Sequence, residues 1–183
     1  MTKTRYHYHK NGAEPPIVEN NPWVLVFGSN IKGRHGAGAA LLATTFYGAR
    51  GGVGMGQEGR SYAIPTKDEN IQTLSLKRIK EYADSAIRYM SHRIGNAHQR
   101  YWFTAIGTGL AGYQHEDIAP MFEGFRTSVV GNLTEHLSFP EEWFEFLEPD
   151  LYHKNKLDNL LFKEAPSSLD LKSNVDAQTT DIR

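Results

Sequence analysis

Cysteine is absent from all 183 residues. That excludes disulfides, thiolate nucleophiles and Cys-ligated zinc or iron–sulfur centres. No apolar run reaches membrane-spanning length, and the opening stretch MTKTRYHYHKNGAEPP lacks the apolar core of a signal peptide. The expectation is a cytoplasmic protein without a membrane partner. Neither sign of charge dominates: 20 Lys and Arg face 21 Asp and Glu, for a net charge of −1. A chain-wide basic field for nucleic acid is therefore missing, and only a local patch could serve one. The eight histidines show no HExxH or comparable ligand spacing, so no metal is expected. GxxxxGK[ST] is missing, which argues against a P-loop. GAGAAL supplies G-x-G without a completed GxGxxG, and no acid follows at ribose-binding distance, which argues against a Rossmann dehydrogenase. No cofactor is expected.

What is present reads as alternating strands and helices. Trp23-Val24-Leu25-Val26-Phe27 is a continuous β-branched and aromatic run, the pattern of a parallel strand buried on both faces. Ala37 to Ala49 has helical apolar spacing and a stop at Gly48. Gly51 to Gly59 reads as loop, and RSYAIPT as a second strand closed by Pro65. In the next segment Leu76, Ile79, Ala83, Ala86, Ile87, Met90 and Ile94 share one helical face, with Gly95 as the stop. Lys77, Arg78 and Lys80 on that helix read as a solvated face. YWFTAIG is a third buried strand, HEDIAPMFEGF a helix start with acids in its first turn, and EEWFEFLEP a last strand. The order predicts a three-layer α/β/α fold with a mixed, mostly parallel central sheet. It covers residues 23–148, with an N-terminal extension over 1–22 and a polar, flexible tail over 149–183. Within that tail Leu157 to Phe162 is a short apolar cluster that reads as a packing or docking element.

Glycine is concentrated where the strands end. Ten of the 17 glycines fall in residues 28–59, and Gly107, Gly109 and Gly112 follow the third strand. In open α/β sheets ligands sit beyond the carboxyl ends of the strands. Glycine lets successive backbone N–H groups turn inward there, and a following helix N-terminus adds its dipole, which together make an anion-binding concavity. Both clusters thus read as a phosphate cradle; the alternative is two loops that only need positive φ.

VFGSNIKGRHGAGAALL is similar to the first ligand loop of macrodomains, FTAIGTGLAGYQHEDIAPMF to their second, and SYAIPTKD falls where their middle strand lies. The resemblance spans Trp23 to Phe125. More narrowly, the three motifs in this order resemble a macro-like family of phages and bacteria, which would place a phage-encoded member in the host cytoplasm. The resemblance implies an ADP-ribose-type ligand, free or attached to a macromolecule. Gly28, Ser29, Asn30, Gly33, His35, Gly36, Ala37 and Gly38 would form its first wall, and Gly107, Thr108, Gly109, Leu110, Ala111, Gly112 and Tyr113 its second, with Thr66 between. Asn30 matches an asparagine that bonds the distal ribose. Tyr113 matches an aromatic that closes over that ribose, or is a packing tyrosine.

One macrodomain branch removes ADP-ribose with a lysine on the middle strand and an aspartate in the second loop. Lys67 matches the lysine, whereas the aspartate position holds Ala111. The resemblance therefore implies a hydrolase of an ADP-ribosyl derivative with Lys67, Asn30 and His35 as candidate catalytic residues, or a non-catalytic reader or sponge of the same ligand. A scaffold that recruits a partner through its C-terminal segment is a third reading. Asp68 reads as a stand-in acid or a turn cap. His35 reads as a general base or a charge partner, and His115, Glu116 and Asp117 as a solvated helix start. No turn of the kind that holds adenine precedes the first loop; Glu14 and Glu19 are the acids available there. Oligomeric state is not legible.

Overall fold

The computed structural model describes residues 4–16, 22–129 and 131–163. Its strands are β1 (His7–His9), β2 (Trp23–Asn30), β3 (Gly56–Glu58), β4 (Ser61–Lys67), β5 (Arg100–Phe103) and β6 (Leu137–Pro140). They form one sheet in the order β1-β6-β5-β2-β4-β3. Every pairing is parallel except β3 with β4. The helices are α1 (Gly38–Phe46), α2 (Leu76–Ala97), α3 (His115–Ile118), α4 (Phe125–Ser128), α5 (Phe144–Leu147) and α6 (Pro149–Lys163). The fold is α/β with a mixed, mostly parallel sheet. None of the helices in the described residues is long and apolar enough to cross a membrane.

Side-chain alternation along the strands builds two cores. Val24, Val26, Tyr62, Ile64, Tyr101 and Phe103 point to the face covered by α2. Trp23, Leu25, Phe27, Ala63 and Trp102 point to the face covered by α1 through Ala40 and Ala43. Because both faces are covered, β2 needs apolar residues at successive positions. On α2 the stripe Ile79, Ala83, Ala86, Ile87, Met90 and Ile94 is buried as the spacing predicts. Its charged residues form local pairs, Arg78 with Glu81 at 2.6 Å and Lys80 with Asp84 at 2.5 Å. These exposed pairs contribute little to stability.

Several elements differ from the reading of the sequence. Gly95 does not stop α2; the helix continues to Ala97, and His98 takes the left-handed cap at φ 49°. Part of the glycine-rich 51–59 segment is the edge strand β3, formed because Gly56, Gln57 and Glu58 align with Ala63, Tyr62 and Ser61. Pro65 lies inside β4 rather than at its end. β3 pairs no further than Ala63, so the donor that proline lacks falls on an edge without a partner strand. EEWFEFLEP is not a strand: Glu141–Trp143 is a 3₁₀ turn that runs into α5. Trp143 and Leu147 bury on one side at helical i, i+4 spacing, and the last strand is the preceding LSFP. The N-terminal extension supplies β1. The segment from residue 149 opens as α6, in which Leu157 is exposed, and residues 164–183 lie outside those described.

The α2-side core ends in an aromatic cluster. Trp143 stacks on Phe122 at 5.2 Å, and Phe103 lies 4.6 Å from Phe139. Full burial of such rings stabilises by about 1.5–3 kcal/mol each. The cluster includes Phe122 and Phe125, so it fixes the chain that leaves the second glycine loop.

Candidate functional site

Strands β5, β2 and β4 are adjacent and parallel, so the loops that leave them open at one end of the sheet. The first loop follows β2 and runs into α1; the second follows β5 and runs into α3. A methyl group at Gly28 would lie 3.5 Å from Thr66 Oγ1, 3.6 Å from Ile106 Cγ2 and 3.7 Å from the Gly107 nitrogen. The Thr66 hydroxyl donates to the Ser29 carbonyl at 3.2 Å. The end of β2, the end of β4 and the start of the second loop therefore meet at Gly28.

The glycines divide into two kinds. Gly33, at φ +64°, is pressed on the 51–54 segment: a Cβ there would fall on the Val53 nitrogen and within 2.7 Å of the Gly52 carbonyl carbon. Gly54 is equally closed, its Cβ position lying 2.5 Å from the Ile31 oxygen. The Gly52 N–H donates to the Gly33 carbonyl at 3.1 Å. These glycines serve the packing of backbone on backbone. Gly36, Gly38, Gly109 and Gly112 instead face open space, with nothing within 4 Å of a Cβ.

That openness coincides with free donors. Among the described residues no acceptor meets the N–H groups of His35, Gly36 and Ala37, or those of Gly107, Gly109, Leu110 and Ala111. Helix α1 begins at Gly38, and Ala37 before it offers no side-chain cap, which leaves its first N–H groups unpaired as well. Leu110 stands 76% exposed at the tip of the second loop.

The polar side chains are mostly engaged with their own loops. Asn30 is 6% exposed and grips Arg34 at both ends of its amide: Nδ2 donates to the Arg34 carbonyl at 2.7 Å, and the Arg34 N–H donates to Oδ1 at 3.0 Å. His35 is 8% exposed, with Nε2 3.0 Å from Ser29 Oγ and its ring edge-on to Phe27 at 5.1 Å. Burial holds its pKa below the usual histidine value. Asp68 Oδ1 accepts from Asn70 and Gln72 N–H groups at 2.8 and 2.9 Å, so it caps a turn. That turn forces Ile71 to φ +67°, an unfavourable conformation for a β-branched residue.

Lys67 closes β4 half-buried. Its carbonyl accepts from the Ile31 N–H at 3.0 Å, and its ammonium forms no ion pair or hydrogen bond among the described residues. Tyr113 is tied down: its hydroxyl donates to the Leu74 carbonyl at 2.7 Å, and its ring packs on the core. Thr73 Oγ1 donates to the Ala111 carbonyl at 3.1 Å. The turn after β4 thus braces the second loop, a role that sequence reasoning missed for Thr73 and Leu74. The Asp and Asn of KDEN were the available turn signal.

His115 starts α3 and accepts at Nδ1 from the buried Trp143 indole at 3.1 Å, while Gln114 and Asp117 form a capping box. Glu14 is exposed and lies within electrostatic reach of Tyr47, whose pKa is raised by burial first and by Glu14 second; Glu19 lies outside the described residues. No group of three or more His, Asp or Glu side chains among the described residues is placed to hold a metal ion. A separate cavity of about 390 Å³, lined by His7, Trp23, Arg100, Trp102, His136 and Ser138 among others, lies where β2 and β5 begin, away from both glycine loops. Neither the family models nor the curated proteins searched contain a match to this chain.

Proposed function

We propose that the chain recognises an ADP-ribose-type ligand, free or attached to a macromolecule, in the groove between its two glycine loops. The observation that carries this reading is that unpaired backbone donors occur on both loops leaving the same end of the sheet. At least three N–H groups on each loop, together with the uncapped start of α1, line the same end of the sheet. Such a set suits a diphosphate, because aimed N–H groups and a helix dipole stabilise spread negative charge. Isothermal titration with ADP-ribose, AMP and ribose 5-phosphate tests it. ADP-ribose binding well above that of either fragment is the expected result; equal or absent binding sinks the reading.

Turnover, in this proposal, removes the group attached to the distal ribose. Lys67, once it has given up its proton, is the nucleophile: its amine attacks the anomeric carbon of the distal ribose, and the attached group departs with the bonding electrons and takes up a proton. Water then hydrolyses the ribose–lysine bond to regenerate the amine. Lys67→Ala then abolishes product formation while ADP-ribose affinity stays within about threefold. A second reading, a reader without turnover, is favoured by the side chains around that amine. Asp68 Oδ1 is occupied with its turn, the Asn30 amide with Arg34, and position 111 is alanine, so none of these three places offers an acid or base already engaged with the Lys67 amine. Tight binding with no product over hours selects that reading.

A further inference from the structure

The first loop carries a group that neither its packing nor the anion cradle uses: the Nδ1 atom of His35, buried and without a partner. The Ser29 hydroxyl oxygen lies 3.2 Å from the Asn30 carbonyl oxygen and 3.0 Å from His35 Nε2, so it can donate to the carbonyl while it accepts from Nε2–H. We assign the ring the Nε2–H tautomer, which leaves Nδ1 as a bare acceptor inside the protein, because the other tautomer would bury an Nδ1–H donor with no acceptor. A proton there would create a buried N–H with nothing to receive it. It would also place a full positive charge just ahead of α1, whose N-terminus is the positive end of the helix dipole.

The charged neighbours act in the same direction. On the loop itself they are Lys32 and Arg34. Lys67 ends β4 opposite Asn30. Phe27 and Ser29 on β2, all of α1 and the 51–54 segment contribute no ionisable group. Arg50 and Glu58 pair with each other at 3.3 Å, and Asp68 is held in its turn. No acid contacts the ring.

We propose that His35 is a positioning residue that latches the first loop closed while its imidazole is neutral, and that uptake of a proton at Nδ1 releases the loop. Three amide bonds report the closed state: Gly33 N–H to the Asn30 carbonyl, Arg34 N–H to Asn30 Oδ1, and Gly52 N–H to the Gly33 carbonyl. The direction follows from burial, which holds the folded-state pKa of His35 low. The closed loop is fully stabilised above the ordinary histidine pKa of about 6.5 and loses that stabilisation as the pH falls below it.

The test is residue-resolved hydrogen exchange on the full chain between pH 7.5 and 5, corrected for intrinsic rates, with α2 amides as the internal control for general loss of stability. In the native chain, protection at Gly33, Arg34 and Gly52 should fall by up to tenfold per pH unit below about 6.5. In His35→Gln, whose amide can still donate to Ser29 but does not titrate, the same amides should show a flat profile. An acid-dependent loss that persists in His35→Gln, or unchanged loop protection in the native chain, overturns the proposal. A ring-nitrogen titration of the native chain by NMR needs no variant: Nδ1 unprotonated at pH 7.5 supports the latch, and a doubly protonated ring overturns it. The consequence for ligand binding rests on the ADP-ribose reading. Affinity should fall with the loop protection at acid pH in the native chain only. Failure to bind at either pH would remove that reading and leave the latch standing on the exchange data.

Discussion

Replacing Gly33 with alanine separates the glycines that build the site from those that would touch a ligand. The backbone at Gly33 sits at φ +64°, where a side chain costs about 1–2 kcal/mol. The new methyl group would also fall on Val53 backbone and within 2.7 Å of the Gly52 carbonyl carbon. Backbone is less able to yield than a flexible side chain, so overpacking adds about 1–3 kcal/mol. The sum, about 2–5 kcal/mol, is a large share of the roughly 5–15 kcal/mol typical of a folded domain. Gly36→Ala is the matched control on the same loop: its φ is not positive, and nothing lies within 4 Å of the added carbon. Its stability should stay within about 0.5 kcal/mol of the native chain, while its methyl group crowds the N–H cradle and weakens ADP-ribose binding. Urea unfolding at pH 7.5, followed by tryptophan fluorescence, gives both stabilities, and calorimetry gives the affinity. If Gly33→Ala lies within 0.5 kcal/mol of the native chain, or Gly36→Ala is destabilised as much as Gly33→Ala, the division of the glycines into two kinds is wrong.

Tyr113→Phe removes the hydroxyl that bonds the Leu74 carbonyl at 2.7 Å and should cost about 0.5–1.5 kcal/mol in urea unfolding, with faster exchange in the second loop. Glu148→Ala removes the carboxylate that accepts from the Arg5 and Tyr6 N–H groups and the Tyr8 hydroxyl; a loss of about 1.5–3 kcal/mol and faster amide exchange in β1 are expected. His9 stacks on Trp102 at 3.8 Å, and burial lowers its pKa to about 4. Its neutral form stabilises the fold fully above about pH 6.5, and that contribution fades as the pH falls towards 4, by about 1–2 kcal/mol once its partial exposure is allowed for. Urea midpoints from pH 7 to 4.5 should show that slope, and His9→Gln should make it shallower, with the remainder carried by groups such as His35.

What could be read from the chain depended on whether a residue's role was set locally. The stripe on α2 and the apolar run of β2 carry their own periodicity, and both lie where the spacing puts them. The edge strands β1 and β3 have three residues each and exist through register with β6 and β4, so HYH and GQE gave no signal of their own. EEWFEFLEP mixes acids and aromatics in a way that suits either period, and the spacing from Trp143 to Leu147 decides it only once burial is known.

The same distinction governs the candidate site. That glycine clusters follow β2 and β5 is local information, whereas the contact of Gly33 with Val53 is not. Asn30, His35 and Asp68 attract notice because their side chains can do chemistry, yet each is committed to shaping its own loop or turn. The groups left without partners among the described residues are the backbone donors of the two loops and the Lys67 ammonium. Substitutions at Asn30 or His35 should therefore act through the shape of the first loop, and their effect on affinity should track its hydrogen-exchange protection. A residue that touches the ligand directly would weaken binding with that protection intact.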